Sequence, residues 1–124
     1  MSESEARKYR WDDVPRERLS DSLERQMITG ERLMVTHIHL KRGALVPRHS
    51  HANEQVSYVL RGELRFWTGP EGEEREHGLR SGEAIVVPGH VPHRVEAVDD
   101  TLSLDIFSPP RQDWLDGTDD YLRG

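Results

Sequence analysis

The sequence predicts an all-β fold, a sandwich or small barrel, and three observations carry that expectation. From about residue 32 onward, segments of strand length rich in apolar and β-branched residues recur every eight to twelve residues. Turn-forming breaks separate them, at Gly43, Gly62, Gly69-Pro70-Glu71-Gly72, Gly82, Pro88-Gly89 and Asp99-Asp100. The breaks are too closely spaced for βαβ units, and the chain carries no internal repeat or low-complexity tract.

The elements follow in order. Residues 1–24 are charged and weakly periodic. Leu19, Leu23 and Met27 stand at helical spacing, which predicts a short helix ending near Gly30. The competing reading makes Arg25 to Thr29 a strand that turns back at Gly30-Glu31. Strands are then expected over 32–40, 44–51, 54–60, 63–69, 74–79, 84–88, 92–98 and 101–107. Side chains alternate between the faces of a strand. Gln55, Ser57 and Val59 therefore share one face, with Val56, Tyr58 and Leu60 opposite. The last strand puts Ser103, Asp105 and Phe107 on one face and Leu102, Leu104 and Ile106 on the other. Apolar side chains on both faces predict that both are covered, one by a second sheet and one by a partner subunit. Residues 108–124 leave the sheet at Ser108-Pro109-Pro110, and Trp114, Leu115 and Tyr121 predict a docked tail.

Composition bounds the partners. A chain of 124 residues fits one domain, 1–124, and an apolar content of 34% makes its core thin, so association is a natural way to bury more surface. A net charge of −6 argues against nucleic acid or an anionic membrane as partner. No run approaches the roughly 18 apolar residues of a membrane span. The start, Met1-Ser2-Glu3-Ser4-Glu5, is acidic and unlike a secretory signal, so a cytoplasmic location is expected. Cysteine is absent, which leaves only nitrogen and oxygen to ligate a metal.

The densest chemical signal is His49-Ser50-His51-Ala52-Asn53-Glu54-Gln55, answered by His93 in Val91-Pro92-His93. Histidines at i and i+2 can point to one face of a strand. Gln55, four residues on, and His93, from a distant strand, would close a mononuclear site. An isolated His-x-His is more often a solvated strand end, but the flanks are regular: Gly43 stands six before His49, Gly62 seven after Gln55, Gly82 six before Pro88, and Pro88 five before His93. These positions resemble the two motifs of the cupin superfamily, with Gln55 where most members have glutamate, His90 in place of a glycine and Ala97 in place of an asparagine. The resemblance implies a double-stranded β-helix, a jelly-roll barrel with short terminal extensions and a metal-site core over about 32–107. The metal would be one divalent ion per chain, nickel, zinc, manganese or iron, held by His49, His51, Gln55 and His93. Imidazole suits all of these, so the ligands do not choose among them.

Other histidines read differently. His37 and His39 share parity with Lys41, away from Ile38 and Leu40, and are expected to face outward. His77 is expected to be solvated, and His90 can line the mouth of the site.

Asp105-Ile106-Phe107-Ser108-Pro109-Pro110-Arg111 offers a carboxyl, an aromatic wall and a guanidinium able to grip a carboxylate. The same residues also fit an ordinary last strand with a structural Asp–Arg pair. A closer resemblance bears on the choice. The segments around Glu54-Gln55-Val56-Ser57-Tyr58-Val59-Leu60, Asp105-x-Phe107-Ser108-Pro109-Pro110-Arg111 and Asp113-Trp114-Leu115 are similar to the small single-domain cupins of the KdgF type, which act in pectin degradation. That resemblance implies a homodimer that opens 4,5-unsaturated monouronates to linear 4-deoxy-5-keto uronates, with catalysis on Asp105, Phe107 and Arg111. Rival expectations for the same frame are a metal-dependent dioxygenase of a small organic substrate, a small-cupin cyclase or dehydratase, and a non-catalytic ligand-binding module.

Overall fold

The alternation in the sequence becomes ten strands in the computed structural model, which describes residues 5–124 and so leaves Met1 to Ser4 outside it. They are β1 (Glu17–Ser20), β2 (Leu23–Thr29), β3 (Met34–Leu40), β4 (Leu45–His49), β5 (Glu54–Arg61), β6 (Glu63–Thr68), β7 (Arg75–Arg80), β8 (Ala84–Val87), β9 (His93–Ala97) and β10 (Thr101–Ser108). Six of them form one sheet in the order β1-β2-β3-β10-β5-β8, and four form a second in the order β4-β9-β6-β7. Neighbours within both sheets are antiparallel. This is the two-sheet jelly-roll architecture of the expected fold.

The expected amino-terminal helix is corrected. Leu19 and Leu23 belong to β1 and β2, which pair across a turn at Asp21-Ser22, and Met27 follows in β2. A spacing of four satisfies the strand period as well as the helical one, so the three side chains share a face in either state. The strand reading of Arg25 to Thr29 holds, and β2 extends it by two residues.

One core joins the inner faces of the sheets. Met34, Ile38, Leu40, Val59, Val87 and Phe107 come from the larger sheet, and Leu64, Phe66, Leu79, Val95 and Ala97 from the smaller. The expected parity is realised: Gln55, Ser57 and Val59 are buried, whereas Tyr58 and Leu60 are exposed. On the outer face of the larger sheet, the register aligns Ile28, Val35, Ile106, Val56 and Val86 in one row across five strands. His37 lies on this outer face beneath the ring of Trp11, stacked at 3.7 Å, and His39 shares a hydrogen bond with Gln26. Both face outward as expected, half-buried by the amino-terminal segment.

Beyond β10 the chain forms a short helix, α1 (Gln112–Asp116), and a 3-10 turn (Asp120–Leu122). Trp114 and Leu122 are buried, so the tail docks; Leu115, expected to help, is exposed instead. The clamp is ionic. Arg25 bonds Asp119 at 2.6 Å and Glu17 at 2.7 Å, and Arg123 bonds both acids from outside. Arg25 and Asp119 side chains are fully buried, so removing either partner would strand a charge in the interior. No helix is long and apolar enough to cross a membrane among the described residues.

Candidate metal centre and its cavity

His49 ends β4 and stands directly opposite His93, the first residue of β9, in the antiparallel register. His51 lies just past the end of β4, in the connection to β5, rather than on the strand as the spacing predicted. Gln55 is the second residue of β5. The β4–β9 ladder shifts register between Val46 and His49, a local irregularity that re-aims side chains at a strand end. The ring centroids of His49, His51 and His93 lie 4.2 to 5.6 Å apart, and one nitrogen from each lies within 4.8 Å of the others.

Hydrogen bonding fixes which nitrogen is free. Each Nδ1 meets a backbone carbonyl: His49 that of Pro47 at 2.8 Å, His51 that of Asn53 at 3.0 Å, His93 that of Val91 at 2.9 Å. A carbonyl only accepts, so each Nδ1 carries the proton and each Nε2 presents a lone pair. Burial, the largest effect on all three, lowers their pKa values, to about 3 for His49 and about 4 for His51, so the rings are neutral. His93 Nε2 is buried with no hydrogen-bond partner. Arg25 Nε is also buried and unpartnered, but the Arg25 guanidinium lies 4.6 Å from the Trp114 ring centroid.

Gln55 completes the set. Its Nε2 donates to Ser57 Oγ at 2.9 Å, which turns Oε1 toward His51 Nε2 at 3.1 Å. Ser57 faces Asp105 across the β5–β10 ladder, and its hydroxyl favours the Asp105 carboxylate. Ser57 Oγ accepts from the Gln55 amide. A lone pair on His51 then faces a lone pair on Gln55. Three Nε2 lone pairs, one of them an orphaned buried atom, and an amide oxygen are the donor set a divalent transition metal takes. The residues fit the ion.

The other candidates gather beside this cluster. A cavity of about 50 Å³ between the sheets is lined by His49, Gln55, His93, Asp105, Phe107 and Arg111, among others. Asp105 accepts from Ser103 Oγ at 2.6 Å. Burial raises its pKa to about 6 despite Ser103, Ser57 and Arg111, which all favour the charged form. Phe107 is buried and meets His51 and Trp114 edge to face at 5.8 and 4.9 Å. Arg111 is buried, held by Asp113 at 3.1 and 2.9 Å and by the Tyr121 hydroxyl at 2.6 Å. Its guanidinium lies over both Phe107 and Trp114. Part of the structural pairing anticipated for Arg111 is therefore present, but its partner is Asp113 and not Asp105. Nη1 of Arg111 makes no hydrogen bond among the described residues.

The remaining histidines stay out of the site. His77 shares a hydrogen bond with Thr68, and His90 is exposed and does not line the cavity. His90 has a positive φ of 68° where the family motif has glycine, a conformation histidine tolerates better than most side chains. Its neighbour Gly89 is required by space, since a Cβ there would lie 2.5 Å from the Ala52 carbonyl oxygen.

Four contributors were not singled out from sequence. Ser57 and Ser103 offered only parity as a signal. Arg25 lines the cavity through contacts spanning 94 residues, and Tyr121 reaches it from the tail.

Comparison with known proteins agrees with this architecture. The cupin domain family matches residues 36–108. The chain is 34% identical over 107 residues to the pectin degradation protein KdgF of Dickeya dadantii, covering 84% of this chain and 94% of that protein. The solved structure of KdgF from Halomonas sp. superposes with a TM-score of 0.73 at 31% identity, covering 83% of this chain and 94% of that one. An RmlC-like cupin from Shewanella frigidimarina gives a TM-score of 0.80 at 28% identity over 91% of this chain and 99% of that one. The matched region contains both histidine segments, β10 and the strands between them, and the chain belongs to the cupin family.

Proposed function

We propose that this protein opens the ring of 4,5-unsaturated monouronates, giving linear 4-deoxy-5-keto uronates. The observation that carries the reading is a half-buried carboxyl, Asp105, whose pKa burial raises to about 6 and which lines the same cavity as His49, His93 and Arg111. The likeness to KdgF, named for pectin degradation, supports the substrate class.

The reaction is an isomerisation. The hydroxyl at C1 loses a proton, the C1–ring oxygen bond breaks to leave an aldehyde, and the enol released at C5 becomes a ketone as C4 gains a proton. Asp105, close to half-ionised near pH 6, takes the hydroxyl proton and returns one to C4. Arg111 binds the carboxylate, with Nη1 unoccupied by protein partners. Phe107 stacks on the ring and keeps water from it. A divalent ion held by His49, His51, Gln55 and His93 supplies a Lewis acid in this cavity. A volume of about 50 Å³ holds a few water molecules and less than a sugar ring, so the cavity widens to admit substrate. The protein works as a homodimer in the cytoplasm, paired through the apolar row on the larger sheet.

A 4,5-unsaturated uronate absorbs in the ultraviolet because its double bond is conjugated with the carboxylate. Metal-loaded protein is expected to remove that band with no uptake of oxygen. A persistent band, or oxygen consumed in step with its loss, would overturn the reading and favour a dioxygenase.

A further inference from the structure

Tyr121 brings a hydroxyl into the cavity from the tail, two residues beyond the buried Asp119 that anchors the tail to Arg25. Its ring lies 4.6 Å from that of His49. Its oxygen accepts twice, from Arg111 Nη2 at 2.6 Å and from Trp114 Nε1 at 3.3 Å. Guanidinium and indole N–H groups only donate. The phenol therefore spends both lone pairs on protein donors, and its own proton has no acceptor among the described residues. A partly buried hydroxyl proton left over in this way, beside a cluster of metal-ligand type and an arginine with an unused nitrogen, needs an oxygen from outside the protein.

The geometry points to Tyr121 as a second donor to the ligand carboxylate, acting alongside Arg111. This rests on the carboxylate-binding role proposed above for Arg111. Neither Arg111 nor Trp114 can take the phenol proton, and Tyr121 lines the cavity that also holds Arg111. The contact also joins recognition to closure, because Tyr121 reaches the cavity only when the tail is docked.

The test uses metal-loaded, full-length protein with Tyr121→Phe, which keeps the ring against His49 and removes only the hydroxyl. Two readouts are taken. One is kcat/KM for a 4,5-unsaturated monouronate; the other is the Kd of galacturonate, a saturated carboxylate probe that cannot react. Both are expected to worsen about 10- to 100-fold, as for loss of a hydrogen bond to a charged group, with metal content unchanged. Wild-type values for both readouts in the variant would overturn the proposal.

A double-variant cycle separates direct contact from mere support of Arg111. If Tyr121 touches the ligand, Tyr121→Phe weakens galacturonate binding further in an Arg111→Lys background. If it acts only by holding Arg111, the double variant matches Arg111→Lys alone, and the proposal fails. Wild-type protein that binds galacturonate without bleaching the unsaturated uronate would refute the reaction and leave the Tyr121 contact to be judged by the binding arm. Wild-type protein that binds no galacturonate would refute the contact.

Discussion

His51 Nε2 and Gln55 Oε1 face each other at 3.1 Å with no proton between them. The His51 proton is on Nδ1, engaged by Asn53, and the Gln55 amide protons point to Ser57. Two acceptors hold such a position at low cost only if a cation lies near both, and the unpartnered Nε2 of His93 has the same need.

Purified protein is accordingly expected to carry about one divalent first-row metal per chain. His51→Ala and His93→Ala should each lose most of it, because neither remaining imidazole can occupy the vacated direction. Elemental analysis checks this, and full occupancy in both variants would remove the assignment.

Acid should destabilise the metal-free protein. The folded-state pKa values of His49 and His51 lie near 3 and 4, against 6.5 in the unfolded chain. Below about pH 6.5 the unfolded chain therefore takes up protons that the folded protein refuses, so stability falls as pH drops toward 4. Asp105, with its raised pKa, opposes this in part. A net loss on the order of 1–3 kcal/mol between pH 7 and pH 5 is expected, measured by denaturant unfolding after chelation.

Asp105→Asn should separate activity from stability. Metal content is expected to stay intact while turnover slows about 10²- to 10⁴-fold. The folded pKa is raised from 3.8 to about 6. Below 3.8 the carboxyl is neutral in both states and costs nothing; as pH rises through about 6, the folded protein must ionise a buried group and loses stability. At pH 8 the metal-free variant should therefore be more stable than wild type by about 1–3 kcal/mol. A variant with wild-type turnover would make Asp105 structural.

Sedimentation is expected to report twice the chain mass at micromolar concentration. The row of Ile28, Val35, Ile106, Val56 and Val86 is wide and apolar for a surface open to water. Ile106→Glu, at its centre, should give a monomer that keeps its metal. Wild-type protein sedimenting as a monomer would contradict the pairing.

The sheet was legible because period-two alternation and glycine breaks set both strand bounds and facing; Gln55, Ser57 and Val59 turned inward as parity required. The amino-terminal strands were ambiguous because Leu19, Leu23 and Met27 fit two periods at once. The candidate metal ligands were legible from fixed spacings within local segments. Arg25 and Tyr121 were not, since their meaning depends on partners supplied by a tail about a hundred residues from β2. Arg111 was found as a residue, but its grip by Asp113 and Tyr121 depends on the fold of α1 and the following turn.

The most direct test of the central claim is the mass of the product formed from a 4,5-unsaturated monouronate in deuterated water by metal-loaded protein under air. The expected product is a linear isomer of the substrate with carbon-bound deuterium at C4, formed at a rate that collapses in Asp105→Asn. A product heavier by oxygen atoms, or substrate recovered unchanged, would contradict it.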